Sequence, residues 1–363
     1  MPNIVDRSLY TMPRVTVAVC AHNQAAYVEA ALNSAFNQSY ENIEFVVVDD
    51  HSSDGTSDKI QEFLDATEMN VKFIGRKSNG GQMAAMLDAL EASTAPFIVW
   101  VDGDDLLKPD FVKTHIRYHL NATAGCAFTS SNMAVIDFRG QMISGVVPFL
   151  SNSFVFRPKG RDIEISPLSE RDEEQTAVLL PKAYRNWAWS ATSGMMFRTS
   201  VIKLIRPERP EAIRISADNY FARFAHVVGG SLVIPTVLGF YRLHPNNNFS
   251  RFEILGDQIK GAKNPAHQID AMNEEFAKVL AREPAIITSC IDPKELYKIV
   301  KKVGTSKPSM GLLLQNKVLW KEMPLRKKIA LVARNVLLSF RGARVDAQSP
   351  RVRNKLFQVF AWR

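Results

Sequence analysis

Four apolar stretches, residues 15–20 (VTVAVC), 44–48 (EFVVV), 71–75 (VKFIG) and 97–101 (FIVWV), are separated by segments near 24–38, 56–66 and 82–93 whose apolar residues recur three or four apart. Runs of β-branched and aromatic residues read as strands, and the three-to-four spacing reads as helix. Strands that alternate with crossover helices in this way close as parallel neighbours with right-handed connections. The first hundred residues are thereby committed to an α/β fold with a mostly parallel central sheet flanked by helices. All four strand ends then fall on one edge, which is where open α/β sheets bind ligands.

Each run discharges polar residues at that edge. Ala21, His22, Asn23 and Gln24 follow the first run. Asp49, Asp50, His51, Ser52, Ser53, Asp54 and Gly55 follow the second, Ser78, Asn79, Gly80 and Gly81 the third, and Asp102, Gly103, Asp104 and Asp105 the fourth. Carboxylates that close repel unless a cation or hydrogen-bond donors gather them. Hard oxygen ligands on one short loop suit Mg²⁺ or Mn²⁺, and Mg²⁺ is usually held by one or two carboxylates together with substrate phosphates. The pattern points to a metal-assisted nucleotide site. Asp and Gly are also ordinary turn residues, so the acidic loop alone leaves both readings open, and it is the coincidence of four clusters that favours a site.

Residues 16–23 (TVAVCAHN), 37–40 (NQSY), 48–56 (VDDHSSDGT), 79–81 (NGG) and 102–105 (DGDD) resemble, in order, the landmarks of family-2 glycosyltransferases with the GT-A fold. The resemblance continues more loosely through 192–198 (TSGMMFR), 217–220 (ADNY) and 241–244 (YRLH), and so covers roughly residues 13–250. It implies that Cys20, Ala21, Asn23 and Asp50 hold the base of a nucleotide sugar, and that the Asn79, Gly80 and Gly81 turn lets the chain pass close to it. Asp102 would face the ribose or a metal-bound water. Asp104 and Asp105 would ligate Mn²⁺ or Mg²⁺, with Arg242 and His244 approaching the pyrophosphate or the metal. Asp218 takes the place of the general base, although Ala217 stands where the family commonly has Glu. The implied reaction is an inverting transfer from a nucleoside diphosphate sugar, a UDP-sugar above all, to a hydroxyl of a glycan or lipid-linked saccharide in cell-envelope polysaccharide synthesis.

Plainer roles compete with three of these. Asp218 follows Ser216 and falls in the first turn of an expected helix over 217–228, where a negative charge favours the helix dipole by roughly 0.3–1 kcal/mol. His244 precedes Pro245 and could be an ordinary surface residue. Asp50 could form an Asx turn with Ser52 or Ser53.

With 363 residues, 46% of them hydrophobic, the chain can bury a large core. The expected division is a catalytic domain over 1–250 and a helical extension over 251–363, with helices at 268–282 and 293–303. Cys20, Cys126 and Cys290 are too far apart in sequence for a zinc motif and give no disulfide framework. The first residues lack a signal-peptide pattern and no apolar run reaches the ~18 residues needed to span a bilayer, so the expected compartment is the cytoplasm. Residues 140–190 read as a loop segment in which 170–174 are charged and Tyr184, Trp187 and Trp189 offer either sugar-stacking surfaces or core packing.

The charge is unevenly placed. Residues 321–363 hold eleven Lys or Arg against two acids, net +9, which leaves net −1 for the first 320. Ile329, Val332, Val336 and Phe340 share one helical face while Lys327, Arg334 and Arg341 share the opposite one. Two arrangements produce such a pattern: an interfacial helix on the anionic inner face of the plasma membrane, or a packed helix with its basic face in water. A sugar-nucleotide pyrophosphorylase would need a Gly-rich, Arg-bearing loop after the first strand, and residues 21–24 are not one. A catalytically silent protein binding nucleic acid through the basic tail would leave the acidic clusters unexplained, because acidic loops repel phosphates; no nucleic-acid partner is expected.

Overall fold

A computed structural model describes residues 11–122, 124–145, 161–163, 177–180, 182, 187–247 and 266–345. The chain divides into two compact units, residues 1–206 with 210–264, and residues 207–209 with 265–363. The boundary thus falls fourteen residues beyond the expected one at 250, and the three-residue segment 207–209 belongs to the second unit.

In the first unit, β1 (Val15–Ala21), β2 (Ile43–Asp49), β3 (Val71–Gly75) and β4 (Phe97–Asp102) lie in the order β3-β2-β1-β4 and are all parallel. Helices α1 (Val28–Phe36), α2 (Thr56–Asp65) and α3 (Gln82–Ala92) make the crossovers. Every residue of β1 is buried, because a parallel sheet covered on both faces demands apolar side chains at successive positions rather than alternate ones. Val17, Val19, Val99 and Val101 pack with Leu32 and Phe36 in one core layer. Trp100 faces the other way, stacks on Phe221 and donates its indole N–H to the Met86 carbonyl at 3.0 Å.

Beyond β4 the sheet becomes mixed. β5 (Leu106–Leu107), β6 (Phe128–Ile136), β7 (Met142–Ser144), β8 (Arg161–Ile163), β9 (Ala177–Leu180), β10 (Met195–Arg198) and β11 (Ser231–Arg242) complete it. β10 runs antiparallel between β4 and β6, and β11 runs parallel to β6. Insertion of β10 sets Thr192 and Ser193 against the end of β4, while the long β11 carries Tyr241 and Arg242 to the same edge. Trp189 resolves to the core reading: it is 2% exposed, packs on Phe128 and His226, and donates to Ser231 at 2.9 Å. Tyr184 and the charged run at 170–174 lie outside the described residues.

The second unit is helical, with helices Ala266–Arg282, Pro284–Cys290, Pro293–Val303, Lys307–Gln315, Lys317–Lys321 and Leu325–Val345. Pro284 stands at the start of its helix, where a missing N–H costs nothing. Glu275 is fully buried and is held by the Glu208 and Arg209 amides at 2.9 Å each and by Lys278 at 2.5 Å. Among the described residues no helix is long and apolar enough to cross a membrane.

Candidate active site

The strand ends of the first unit open into a cleft of about 480 Å³. Of the residues singled out from sequence, Cys20, Ala21, Asn23, Asp50, Asn79, Gly81, Asp102, Asp104, Asp218 and His244 line it, whereas Asp105 and Arg242 do not.

The first wall is built by the loops after β1, β2 and β3. Asn23 adopts a left-handed conformation, φ 53°, which Asn tolerates better than most residues. Its amide donates to Ser52 and its side-chain oxygen accepts from the Ser53 amide, tying the first two strand ends together. Asp50 is 3% exposed and accepts from the amides of Gly80 and Gly81 at 2.8 and 2.7 Å, with the Arg76 guanidinium 2.9 Å away. Both its oxygens therefore already serve the protein, gripping the turn that forms the cleft floor. The Asx turn that competed with the nucleotide role of Asp50 is made by its neighbour Asp49, which accepts from the Ser52 amide and hydroxyl. Gly81 has φ +83°, and a Cβ there would lie 2.3 Å from the Arg214 carbonyl oxygen. No other residue fits. Burial and the nearby Asp102, Asp50 and Asp88 hold the Cys20 thiol well above its ordinary range, so it presents a neutral S–H.

The second wall is the acidic loop. Asp102 accepts from the Gln82 amide at 3.2 Å, and withdrawal from water together with the charges of Asp104 and Asp218 pushes its carboxyl up to about 7. Asp104 lies 2.8 Å from His244 Nε2, and the His244 ring packs 4.8 Å from Tyr27. Asp105, expected to ligate a metal, lies behind the cleft wall. It is fully buried, and a carboxylate so placed needs donors: Ser193 donates at 2.7 Å and the Arg242 amide at 3.0 Å. Arg242, expected to approach the pyrophosphate or the metal, does not line the cleft. Its guanidinium is spent on the carbonyls of Asp104, at 2.8 Å, and Asp137, at 3.3 Å, and lies over the Tyr27 ring. Arg242 thus braces the acidic loop from behind.

Asp218 forms the third wall. It lies in the first turn of the helix Ala217–Gly229, as expected, and accepts from the Asn219 amide at 2.8 Å. Burial raises its carboxyl to about 6 against the lowering effect of that bond and of Arg223.

Among the described residues no three His, Cys, Asp or Glu side chains gather around one point. Asp104 and His244 make a two-donor set of one carboxylate oxygen and one imidazole nitrogen opening on the cleft. Such a set suits Mn²⁺ or Mg²⁺ when substrate oxygens supply the remaining positions.

Residues 16–161 match the family model described as glycosyl transferase family 2. Over those residues the chain is similar to the family-2 glycosyltransferases. An uncharacterised glycosyltransferase of Nostoc is 25% identical over 65% of this chain, and the putative glycosyltransferase EpsH of Bacillus subtilis is 25% identical over 66%. The alignments span 66% and 64% of those proteins, just under two thirds of their length. A crystal structure of GalNAc-T7 with UDP, GalNAc and Mn²⁺ superposes with a TM-score of 0.51 at 11% identity, over 90% of this chain and 57% of that one. The fold is GT-A.

The cleft also depends on residues to which the sequence motifs assign no role. Gln82, which follows the Asn79 to Gly81 turn directly, donates to Asp102 and to Thr192 at 3.1 Å and accepts from the Ala217 amide at 3.0 Å. It thereby joins the acidic loop to the helix that bears Asp218 and satisfies one of that helix's orphan N–H groups. Its position beside the turn was the available signal. Ser193 joins β4 to Asp105, donating to the carboxylate while its oxygen accepts from the Asp102 amide. Arg214, bonded to Asn79 at 2.5 Å, is the guanidinium that does line the cleft, and nothing in its sequence surroundings marks it.

Proposed function

We propose that the protein is a metal-dependent, inverting glycosyltransferase that moves a sugar from a nucleoside diphosphate sugar, UDP-linked, to a hydroxyl of a glycan or lipid-linked saccharide in cell-envelope polysaccharide synthesis, at the cytoplasmic face of the membrane. One observation carries this reading: Asp104 with His244 on one wall, and Asp218 on another, face the same 480 Å³ cleft at the carboxyl edge of the parallel strands. The family match and relatives named for polysaccharide assembly, such as the putative teichuronic acid glycosyltransferase TuaG of Bacillus subtilis, support the class of product.

Asp104 and His244 are the residues that would hold Mn²⁺ or Mg²⁺. A metal so bound supplies Lewis-acid neutralisation of the leaving pyrophosphate. The chain's own residues do the rest. The 79–81 turn and the ends of β1 and β2 seat the nucleotide, with the base against Cys20, Ala21 and Asn23. Asp102 orients the ribose, and Arg214 adds a positive charge at the rim. Asp218 accepts the proton of the attacking hydroxyl, and its raised carboxyl, about 6, keeps it ionised at neutral pH yet basic enough to take that proton. One base and direct displacement invert the anomeric carbon.

The experiment is transfer or donor hydrolysis across a panel of nucleotide sugars with Mn²⁺, Mg²⁺ or EDTA, with the product anomer assigned by NMR. Metal-dependent turnover giving the inverted anomer is expected. A retained anomer would overturn the mechanism, and undiminished turnover in EDTA would overturn the metal role.

A further inference from the structure

The helix Leu325–Val345 contains six Lys or Arg and no acidic residue. Its orientation separates the two arrangements that sequence left open. The inward side buries Leu331 completely and turns Lys327 and Lys328 towards the rings of Tyr297 and Trp320, 4.6 and 5.6 Å away. The outward side carries Leu325, Ile329, Val332 and Val336, spaced by four, three and four residues, at 71, 62, 46 and 51% exposure. An amphipathic helix that merely packed would present its apolar side chains inward; this one leaves four of them in water, beside the exposed Arg326 and Lys327.

We infer that this outward stripe is a docking surface for an anionic phospholipid bilayer. Side chains so spaced form one continuous apolar band along the helix, and a band of that kind in water marks an interaction site. Charge selects the partner. The stripe belongs to the 43-residue segment that holds net +9 while the remaining 320 residues hold net −1, so an anionic surface is attracted to this end of the chain and not to the rest. A second copy meeting the stripe face to face would bring two such basic segments together, which is repulsive. A nucleic-acid backbone would satisfy the cations but leave the apolar band in water. A bilayer interface accommodates both at once, with shallow insertion of the apolar side chains and the cations at headgroup level. The proposal deepens the lipid-linked acceptor reading given above and rests on it for its biological sense. Its test uses neither donor nor acceptor, so either can fail without the other.

The test is co-sedimentation of the full chain with phosphatidylcholine vesicles, alone or mixed with phosphatidylglycerol. The chain should partition onto the mixed vesicles, stay off the neutral ones and be released by salt, because exposed charges are screened beyond about 8–10 Å at physiological ionic strength. The double variant Ile329→Asp, Val336→Asp should lose roughly tenfold or more in partitioning, with unchanged thermal midpoint since both side chains face solvent. Arg326→Glu should lose at least about fivefold, the equivalent of ~1 kcal/mol per cation near an anionic surface. Three results would overturn the proposal: no binding to the mixed vesicles, binding undiminished in the double variant, or a dimer in light scattering that the double variant dissolves.

Discussion

At the sheet edge, Asp102, Asp104, Asp105 and Asp218 crowd one cleft and its wall, and each of these carboxylates takes a hydrogen bond from within the chain: from Gln82, His244, Ser193 with the Arg242 amide, and the Asn219 amide respectively. On the Leu325–Val345 helix six cations share one element with no carboxylate among them. The difference lies in the dielectric. Like charges brought together out of water must be met by particular donors at particular distances, or the cluster does not form. Charges left in water repel only weakly and need no such partners. An acidic cluster built that way is a geometry; a basic stretch of this kind is a field. The first should respond to single-atom changes and the second to charge and salt.

The largest effect that would sharpen this contrast is expected at Asp218. Replacing it with Asn keeps shape but removes the proton acceptor, so transfer should fall by about 10²–10⁴ while donor affinity holds. In the wild type the rate should decline on the acid side with an apparent pKa near 6, since protonation of Asp218 removes the base. Single-turnover kinetics across pH reads both, and a variant that turns over normally would return Asp218 to a helix-terminus role. Next comes Asp104→Ala. Nucleoside diphosphate should bind wild type at least tenfold more tightly with Mn²⁺ than with EDTA, and the variant should erase that difference; calorimetry giving equal affinities for wild type in both conditions would break the metal assignment.

Gly81→Ala probes the cleft floor without touching a charge. With φ +83° and the Arg214 carbonyl 2.3 Å from the added Cβ, the turn must move, at a cost of about 1–3 kcal/mol and with loss of nucleotide binding. Denaturant unfolding that matches wild type would show the turn to be more yielding than its geometry implies.

A smaller effect concerns Asp102 in the metal-free protein. Its folded carboxyl titrates near 7 against an ordinary 3.8, so the folded chain binds the extra proton between those values. That contribution to stability is complete below about pH 4 and is lost as pH rises through 7. Asp102→Asn should therefore melt higher than wild type at pH 8 in EDTA, by on the order of 1 kcal/mol or about 2–4 °C, and the gain should shrink towards pH 5. A pH-independent difference would remove the account from burial and like charge. The smallest change belongs to the helix: Ile329→Ser, at a 62% exposed site, should alter unfolding by no more than about 0.5 kcal/mol. A larger loss would mean that the stripe is already packed.

How far the chain could be read in advance follows from the same distinction. β1 to β4 and their crossover helices stand within a few residues of where periodicity put them, because strand and helix spacing are local properties. The strands from β6 to β11 were not anticipated. Their pairing joins segments as far apart as Phe128 and Ser231, and a strand's own periodicity does not name so distant a partner. The acidic loop was equally legible as a motif, yet the motif could not say which carboxylate faces the cleft.

By itself, the sequence determined the parallel half of the sheet, the edge on which polar residues collect, the carboxylates available there and the basic end of the chain, since each depends on residues near one another along the backbone. Only the tertiary structure decided that Asp105 and Arg242 turn away from the cleft, that Gln82 and Ser193 hold Asp102 and Asp105, that Trp189 belongs to the core, and that the apolar side of the Leu325–Val345 helix faces outward. Those outcomes rest on which distant donors, acceptors and rings a buried or exposed group meets. Burial makes those encounters expensive to get wrong, and no local pattern encodes them.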